Sequence, residues 1–371
     1  MYIPLSQPDI TELEKKYVME VLDSNVLSFG EKLDAFEKAF REKFRVKYAV
    51  ATNSGTSALH TIVKALNLQP GDEVIMTPFS FIASSNCFVV EGATPVFVDI
   101  DPKTLNIDPQ KIEEKITAKT KAILPVHVFG QPCPMDEIMR IAKKHNLYVI
   151  EDACEAIGAK WKNQYVGTFG DAGVFAFYPN KQITTGEGGM IVTNDENIYE
   201  AALSLRNQGR AKEAKWLVHE RIGYNYRMSE LEAAVGLAQI ERLKEILTKR
   251  EEVANRYKAL IQKYRLPVET QAILPEATMS WFVFVIILPK GIDRSEVMNR
   301  LLEQGIETRA YFPSIHLQPA YQSIFGFQKG MLKVTEEFSE RTLAIPFHTN
   351  LTYREQEEVI CQLARLLGEK K

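Results

Sequence analysis

Three short segments of the sequence carry residue types that could bind or transform a small molecule. The first, at 53–57, reads Asn-Ser-Gly-Thr-Ser and separates a strand-like run from a helix-like run. Gly55 allows a tight turn there, and the free amides of a helix start, together with the Thr56 hydroxyl, would suit a phosphate. The alternative is an ordinary helix start, because Ser and Thr are favoured N-cap residues. The segment lacks the Gly-Lys-Ser/Thr ending of a Walker loop.

The second segment, Glu151-Asp152-Ala153, ends a β-branched run. A carboxylate at the carboxyl end of a buried strand lies where open α/β sheets bind ligands. Opposite a pyridine nitrogen, Asp152 would keep that nitrogen protonated, and the ring could then accept electrons. A metal ligand and a simple polar strand end are the alternatives.

The third segment, at 175–190, carries a single lysine, Lys181, in a turn between two strand-like runs. It lacks the charged neighbours typical of a lysine on a solvated helix face. An amine withdrawn from water in such a turn would be nucleophilic towards an aldehyde. Gly186, Gly188 and Gly189, in the return to the next strand, would let the backbone pass close to a ring system. A solvated surface lysine is the alternative.

The three segments lie within a stretch of sequence in which short apolar runs alternate with helical patterns. Seven runs read as strands, at 48–52, 73–77, 95–100, 122–128, 148–151, 173–177 and 190–193. Helical patterns at 57–68, 109–116 and 135–144 lie between them. This alternation predicts an α/β domain with a large, mostly parallel sheet.

The C-terminal part follows a different pattern. Ser229 and Glu232 resemble a capping box, and no proline interrupts the sequence as far as Ile261, so we expect one long helix there. A strand at 282–288, a helix at 294–304, a strand at 307–311 and a helix at 353–367 predict a small α+β domain. We therefore divide the chain into domains at 1–245 and 246–371.

Composition excludes some classes of partner. The net charge of -3 gives no reason to expect nucleic acid or an anionic membrane as a partner. The longest apolar run, 281–289, is about half of what a membrane helix requires. The four cysteines are scattered without metal or redox spacing, and no signal peptide is apparent, so we expect a cytoplasmic protein without a bound metal.

Together these segments resemble the DegT/DnrJ/StrS family of pyridoxal-phosphate-dependent sugar-nucleotide aminotransferases over essentially the whole chain. The motifs that carry the resemblance are Ser54-Gly55-Thr56, Glu151-Asp152-Ala153, Pro179-Asn180-Lys181 with the Thr-Thr-Gly-Glu-Gly-Gly return, and Gly223-Tyr224-Asn225-Tyr226-Arg227-Met228. Taken alone, the last motif could be plain loop packing. The resemblance implies an aspartate-aminotransferase-like fold (fold type I) and a homodimer with shared active sites.

The resemblance also implies roles for individual residues. Lys181 would carry the cofactor as a Schiff base and then move the substrate proton, and Asp152 would pair with the pyridine nitrogen. The other expected cofactor contacts are the phosphate-binding Gly55 and Thr56, the ring-stacking Phe81, and Asn225, which would reach the phosphate of the partner subunit's cofactor.

Two positions depart from the family pattern. Glu155 stands where the family usually has Gln beside the ring hydroxyl, and an ionised Glu cannot donate a hydrogen bond. Ala176 stands where many members have a phosphate-binding Ser, so that contact is missing or is supplied by Asn180 or Tyr178.

The return sequence resembles members that aminate C4 of a 4-keto-6-deoxy sugar nucleotide, with glutamate as amino donor. The alternatives are a C3-aminating enzyme and a sugar dehydratase of the same fold, although those dehydratases replace the lysine with His. A DNA-binding regulator would need a basic face, which the net charge does not favour. Tyr311 and His316 resemble the substrate-side loop, and their alternative is packing at a domain boundary.

Overall fold

The computed structural model describes residues 2–211 and 217–368. The strands in these ranges are β1 (Tyr48–Thr52), β2 (Glu73–Met76), β3 (Thr94–Phe97), β4 (Thr120–Leu124), β5 (Tyr148–Asp152), β6 (Lys160–Trp161), β7 (Gln164–Tyr165), β8 (Ala172–Ala176), β9 (Gly189–Thr193), β10 (Glu269–Thr270), β11 (Ala277–Thr278), β12 (Phe284–Ile287), β13 (Arg309–Ala310) and β14 (Thr342–Ile345). The helices are α1 (Glu12–Ser24), α2 (Glu31–Phe44), α3 (Gly55–Ala65), α4 (Ala83–Val89), α5 (Met135–His145), α6 (Glu196–Arg206), α7 (Glu230–Glu241), α8 (Leu243–Lys263), α9 (Arg294–Glu303), α10 (Pro319–Phe325), α11 (Lys333–Arg341) and α12 (Tyr353–Gly368). Short 3₁₀ turns lie at Pro109–Lys111, Glu113–Lys115, Val128–Gly130 and Ile315–Leu317.

The central sheet has the strand order β1-β9-β8-β5-β4-β2-β3. The pairs from β8 through β3 are parallel, and β9 runs antiparallel to both of its neighbours. The strands are rich in Val, Ile and Ala and are mostly buried, as in a sheet covered by helices on both faces. The mostly parallel sheet is therefore confirmed, and the carboxyl ends of β1, β5 and β8 lie at one edge.

Two helix predictions in this part of the chain were wrong in detail. The segment 109–116 forms two 3₁₀ turns, because it fully buries only Pro109 and Ile112, too small an apolar face to hold an α-helix. The helix expected from Ser229 to Ile261 is two helices that meet at Arg242. The predicted capping box at Ser229 and Glu232 is present.

The C-terminal part forms an antiparallel sheet in the order β10-β12-β14-β13. Helices α8, α9 and α12 contribute apolar side chains to the cluster that packs against it. The N-terminal segment completes this region: the backbone of Ile3 exchanges hydrogen bonds with Gly305 (2.8 Å) and Glu307 (3.1 Å), and Leu5 accepts one from Phe347 (2.8 Å). The predicted boundaries at 1–245 and 246–371 stay a prediction, and the first residues of the chain lie against the C-terminal sheet.

Candidate active site

A cavity of about 500 Å³ opens at the carboxyl edge of the central sheet. Parallel strands end at a common edge, which is where α/β sheets bind ligands. Seven of the nine predicted site residues line the cavity: Gly55, Thr56, Phe81, Asp152, Glu155, Lys181 and Tyr311. Segments far apart in the sequence thus meet at one place.

The start of α3 forms one end of the cavity. Ser54 is the N-cap residue, and its hydroxyl accepts a hydrogen bond from the Ser57 amide at 3.0 Å. A Cβ on Gly55 would lie 2.6 Å from the Cβ of Ala176, so the backbone approaches β8 closely only because residue 55 is glycine. Gly55 and Thr56 open into the cavity with the positive end of the helix dipole. The start of α3 can therefore have an ordinary Ser54 N-cap and still bind an anion at its free amides.

Asp152 is buried at the end of β5, where two donors hold its carboxylate. Ser84 Oγ donates to Oδ2 at 2.6 Å, and the Cys154 amide donates to Oδ1 at 3.1 Å. Ser84 is in turn hydrogen-bonded to Ser80 at 2.7 Å. Sequence analysis missed Ser84, although the Ser80 and Ser84 spacing across the start of α4 places both hydroxyls on one side. The carboxylate is oriented and keeps acceptor capacity for a further donor.

The Lys181 amine lies between a carboxylate and an aromatic ring. Its Nζ is 3.5 Å from Glu155 Oε1 and 4.0 Å from the centroid of the Phe282 ring. Only 13% of the lysine side chain is exposed, so it is not a solvated surface lysine. Phe282 was not predicted as a site residue, because its apolar run resembles an ordinary buried strand.

Glu155 is a buried acid beside this amine. Burial raises the pKa of its carboxyl above the ordinary value, while the charge of Lys181 and a hydrogen bond from the Phe129 amide act in the opposite direction. The Phe129 amide lies 2.9 Å from Oε2. The carboxyl therefore presents Oε1 to Lys181.

Tyr311 and Phe81 lie at other parts of the cavity wall. Burial raises the pKa of Tyr311 to about 12, so its hydroxyl is neutral at ordinary pH. That hydroxyl accepts a hydrogen bond from Asn180 Nδ2 at 3.4 Å, and Asn180 Oδ1 is buried without a hydrogen-bond partner in the described ranges. The Phe81 ring is 62% exposed although it lines the cavity. An apolar ring and a free acceptor are thus available to a bound molecule.

Two predicted site residues lie away from the cavity. Asn225 is exposed and does not line the cavity of its own chain, although its carbonyl accepts a hydrogen bond from Asn53 Nδ2 at 3.4 Å just before α3. His316 is fully buried, and its Nε2 is 3.0 Å from Glu336 Oε1. The geometry of His316 favours the packing alternative, so its substrate contact stays an unsupported prediction.

Residues 8–364 match the model of the DegT/DnrJ/EryC1/StrS aminotransferase family. This chain belongs to that family. It is 41% identical over 362 residues to the GDP-perosamine synthase of Escherichia coli O157:H7, with 97% of each chain covered.

Two solved structures of similar proteins agree with this membership. The Helicobacter pylori PseC structure, an aminotransferase involved in the biosynthesis of pseudoaminic acid, gives a TM-score of 0.94 at 31% identity and covers all of both chains. A GDP-4-keto-6-deoxymannose-3-dehydratase with bound GDP-perosamine gives 0.90 at 29% identity and covers 97% of this chain and 100% of its own. The predicted family, the fold type I architecture and the aminotransferase class are confirmed.

Residues 2–211 and 217–368 lack two features that would indicate other classes of protein. These residues contain no helix that is long and apolar enough to cross a membrane. They also contain no cluster of three or more His, Cys, Asp or Glu side chains that could hold a metal ion.

Proposed function

We propose that this aminotransferase uses pyridoxal phosphate held by Lys181 to move an amino group from glutamate to C4 of a 4-keto-6-deoxy sugar nucleotide. The observation that carries the proposal is the meeting of Lys181 and Asp152 in one ring-sized cavity that also receives the start of α3. A nucleophilic amine, an acid for a pyridine nitrogen and an anion-binding helix start are the three groups that this cofactor requires.

The residues present fit the cofactor. A Cβ at position 55 would collide with Ala176, so the glycine lets the start of α3 lie against β8, and the phosphate would bind at the free amides that open into the cavity there. Asp152 has a fixed carboxylate to accept from the pyridine nitrogen, and the exposed ring of Phe81 is free to stack. Asn180 and Tyr178 line the cavity near Ala176 and could replace the missing serine contact.

Pyridoxal phosphate, when bound, supplies an electron sink that makes the Cα proton of an amino acid acidic. The chain must then place a base at that proton, and the primary amine of Lys181 is the group in the cavity suited to take it. Asp152 would keep the ring nitrogen protonated, which the electron sink requires.

The sugar nucleotide is proposed from the relatives. Similar proteins from Escherichia coli O157:H7 and Caulobacter vibrioides, 41% and 39% identical, are named GDP-perosamine synthases. These names support amination at C4 and make a GDP-linked 4-keto-6-deoxyhexose the first substrate to test. Glutamate as donor rests on the family resemblance alone.

The test is a two-step titration of the purified full-length protein. After loading with pyridoxal phosphate, free glutamate should bleach the visible absorbance band of the lysine-linked cofactor, and GDP-4-keto-6-deoxymannose should restore it. Nuclear magnetic resonance of the product then locates the new amine. An amine at C3 would support the alternative regiochemistry, and loss of the C3 oxygen without an amine would support the dehydratase. If the protein never develops the visible absorbance band after loading with pyridoxal phosphate, the proposal is wrong.

We also propose that the enzyme is a homodimer in which Asn225 completes the partner's cavity. The main chain around this residue is held in place: the Asn53 amide donates to Tyr226 O at 2.9 Å, and the Tyr224 amide donates to Leu205 O at 2.7 Å. A rigid backbone with an exposed amide side chain suits contact with a second chain.

Mixing two inactive variants tests the shared site. A heterodimer of Lys181→Ala and Asn225→Ala subunits would contain one intact site if Asn225 serves the partner. Since random exchange makes half of the dimers mixed, activity should recover to about one quarter of the wild-type level. If Asn225 serves its own subunit, both sites stay defective and no activity returns.

A further inference from the structure

We propose that Glu155 is a positioning residue for Lys181 and the acceptor of its ammonium proton. This inference deepens the proposed function, since it assigns a partner to the base in the same cavity. It is carried by the geometry that Glu155, Phe129 and Phe282 form around the amine.

One residue, Phe129, holds both groups that flank the lysine. Its amide donates to Glu155 Oε2 at 2.9 Å, and its carbonyl accepts from the Phe282 amide at 3.1 Å. Phe129 has a left-handed backbone with φ of 60°, a conformation that costs energy for a bulky residue and is maintained only by its surroundings. The carboxylate and the aromatic face are therefore fixed relative to each other.

The far side of this arrangement is also anchored. Arg250 is buried, and its Nη2 donates to Phe282 O at 2.6 Å while its Nε donates to Trp281 O at 2.7 Å. The Phe282 ring thus cannot easily move away from Lys181. The amine is confined between that ring and Glu155 Oε1.

The charged groups around Glu155 act on its protonation in opposite directions. The groups that act on it are the Lys181 ammonium, the Asp152 carboxylate, the Cys154 thiol and the Tyr311 hydroxyl. The ammonium favours the ionised carboxyl, whereas burial and Asp152 favour the neutral acid. The net effect of these opposing influences is a pKa of Glu155 above its ordinary value.

The exchange is balanced within the pair. An N–H bond of the Lys181 ammonium breaks, an O–H bond forms at Glu155 Oε1, and a neutral amine and a neutral acid replace an ion pair of the same total charge. Lys181 becomes a free base without releasing a proton to water. The reverse transfer restores the ammonium after the amine has delivered its proton elsewhere.

Infrared titration of the cofactor-free full-length protein tests the pairing without any catalysis. Glu155→Gln identifies the carboxyl band of Glu155, and Lys181→Ala removes the ammonium. We expect the Glu155 band to titrate above the ordinary pH range of glutamate and to move about one pH unit higher in Lys181→Ala. An unchanged titration in Lys181→Ala would show that the pair is not coupled, and would overturn the inference.

A kinetic experiment tests the consequence in the loaded enzyme. With glutamate deuterated at Cα, Glu155→Gln should slow the glutamate half-reaction about tenfold, enlarge the deuterium isotope effect and remove one ionisation from the pH profile, with little change in KM. A merely structural role would not change the isotope effect, so a wild-type profile and isotope effect in this variant would refute the assignment. Failure of the wild-type enzyme to react with glutamate would instead count against the proposed function, and the infrared titration would still decide the pairing.

Discussion

The cavity has two walls of different construction. The sheet wall consists of Gly55, Asp152 and Lys181, which lie at or beyond the carboxyl ends of β1, β5 and β8. The C-terminal wall consists of Tyr311 and Phe312, which follow β13, whereas Phe282, held by Phe129 and Arg250, belongs with the fixed groups. Adjacent strands are held at a spacing of about 4.8 Å by their hydrogen bonds, so the sheet wall has a fixed geometry, whereas the C-terminal wall can change with its loops.

This difference separates two tasks. The fixed wall suits chemistry that is the same for every substrate, and the adaptable wall suits selection among sugars. Changes in the sheet wall should therefore stop both half-reactions, and changes in the C-terminal wall should alter mainly the reaction with the sugar.

The largest effect is expected from Lys181→Ala. Loss of the amine removes both the cofactor anchor and the base, so the rate of 2-oxoglutarate formation from glutamate should fall by roughly 10³-fold or more. Lys244→Ala, at an exposed position on α8, is the matched control and should retain full activity. Substantial turnover by Lys181→Ala would remove this residue from the mechanism.

Asp152→Asn should have the next largest effect. The variant keeps the shape of the side chain but cannot hold a positive charge on the ring nitrogen, so both half-reactions should slow by roughly 10²-fold. Stopped-flow absorbance with glutamate and with the keto-sugar measures the two rates separately. Near-normal rates would mean that another residue faces the ring nitrogen.

A smaller and selective effect is expected from Tyr311→Phe. Loss of the hydroxyl leaves Asn180 Nδ2 without its acceptor at the C-terminal wall, so kcat/KM for the sugar nucleotide should fall about three- to tenfold. The glutamate half-reaction should be nearly unchanged. If both half-reactions slowed equally, the C-terminal wall would not act selectively on the sugar reaction.

His316→Gln provides the contrast to Tyr311→Phe. Because the His316 ring is buried against Glu336, this change should cost about 1–2 kcal/mol of unfolding free energy, measured by denaturant titration. A tenfold rise in the KM for the sugar, without loss of stability, would instead support the prediction that His316 contacts the substrate.

The smallest effect concerns stability and pH. Burial raises the folded-state pKa of Glu155 above its unfolded value, so the folded protein holds that proton more tightly. The resulting stabilisation is complete below the unfolded pKa and is lost as the pH rises through the folded pKa. The melting temperature of cofactor-free wild type should therefore fall relative to Glu155→Gln as the pH rises from about 5 to 8. A constant difference across that range would contradict the raised pKa.

Much of the sheet wall could be predicted from sequence because local patterns determine it. Short β-branched runs, helix caps and glycines report on nearby residues, and parallel topology then brings the strand ends together. The predicted strands of the central sheet are present within a few residues of their expected ends. The convergence of Gly55, Asp152 and Lys181 follows from that topology.

Features that depend on distant partners could not be predicted. The break between α7 and α8 lies at Arg242, whose guanidinium binds Asp9 and Glu14 of the N-terminal segment. Strand β14 was not predicted, and its place in the sheet depends on its pairing with β12 and β13. Ser84 and Phe282 likewise gain their roles only from contacts across the fold.

The attachment of Ile3 and Leu5 to the C-terminal sheet has a consequence for biosynthesis. Gly305, Glu307 and Phe347, the residues to which they bind, are made some three hundred residues later in the chain. The apolar side chains of Ile3 and Leu5 therefore have no docking partner until those later residues have been made.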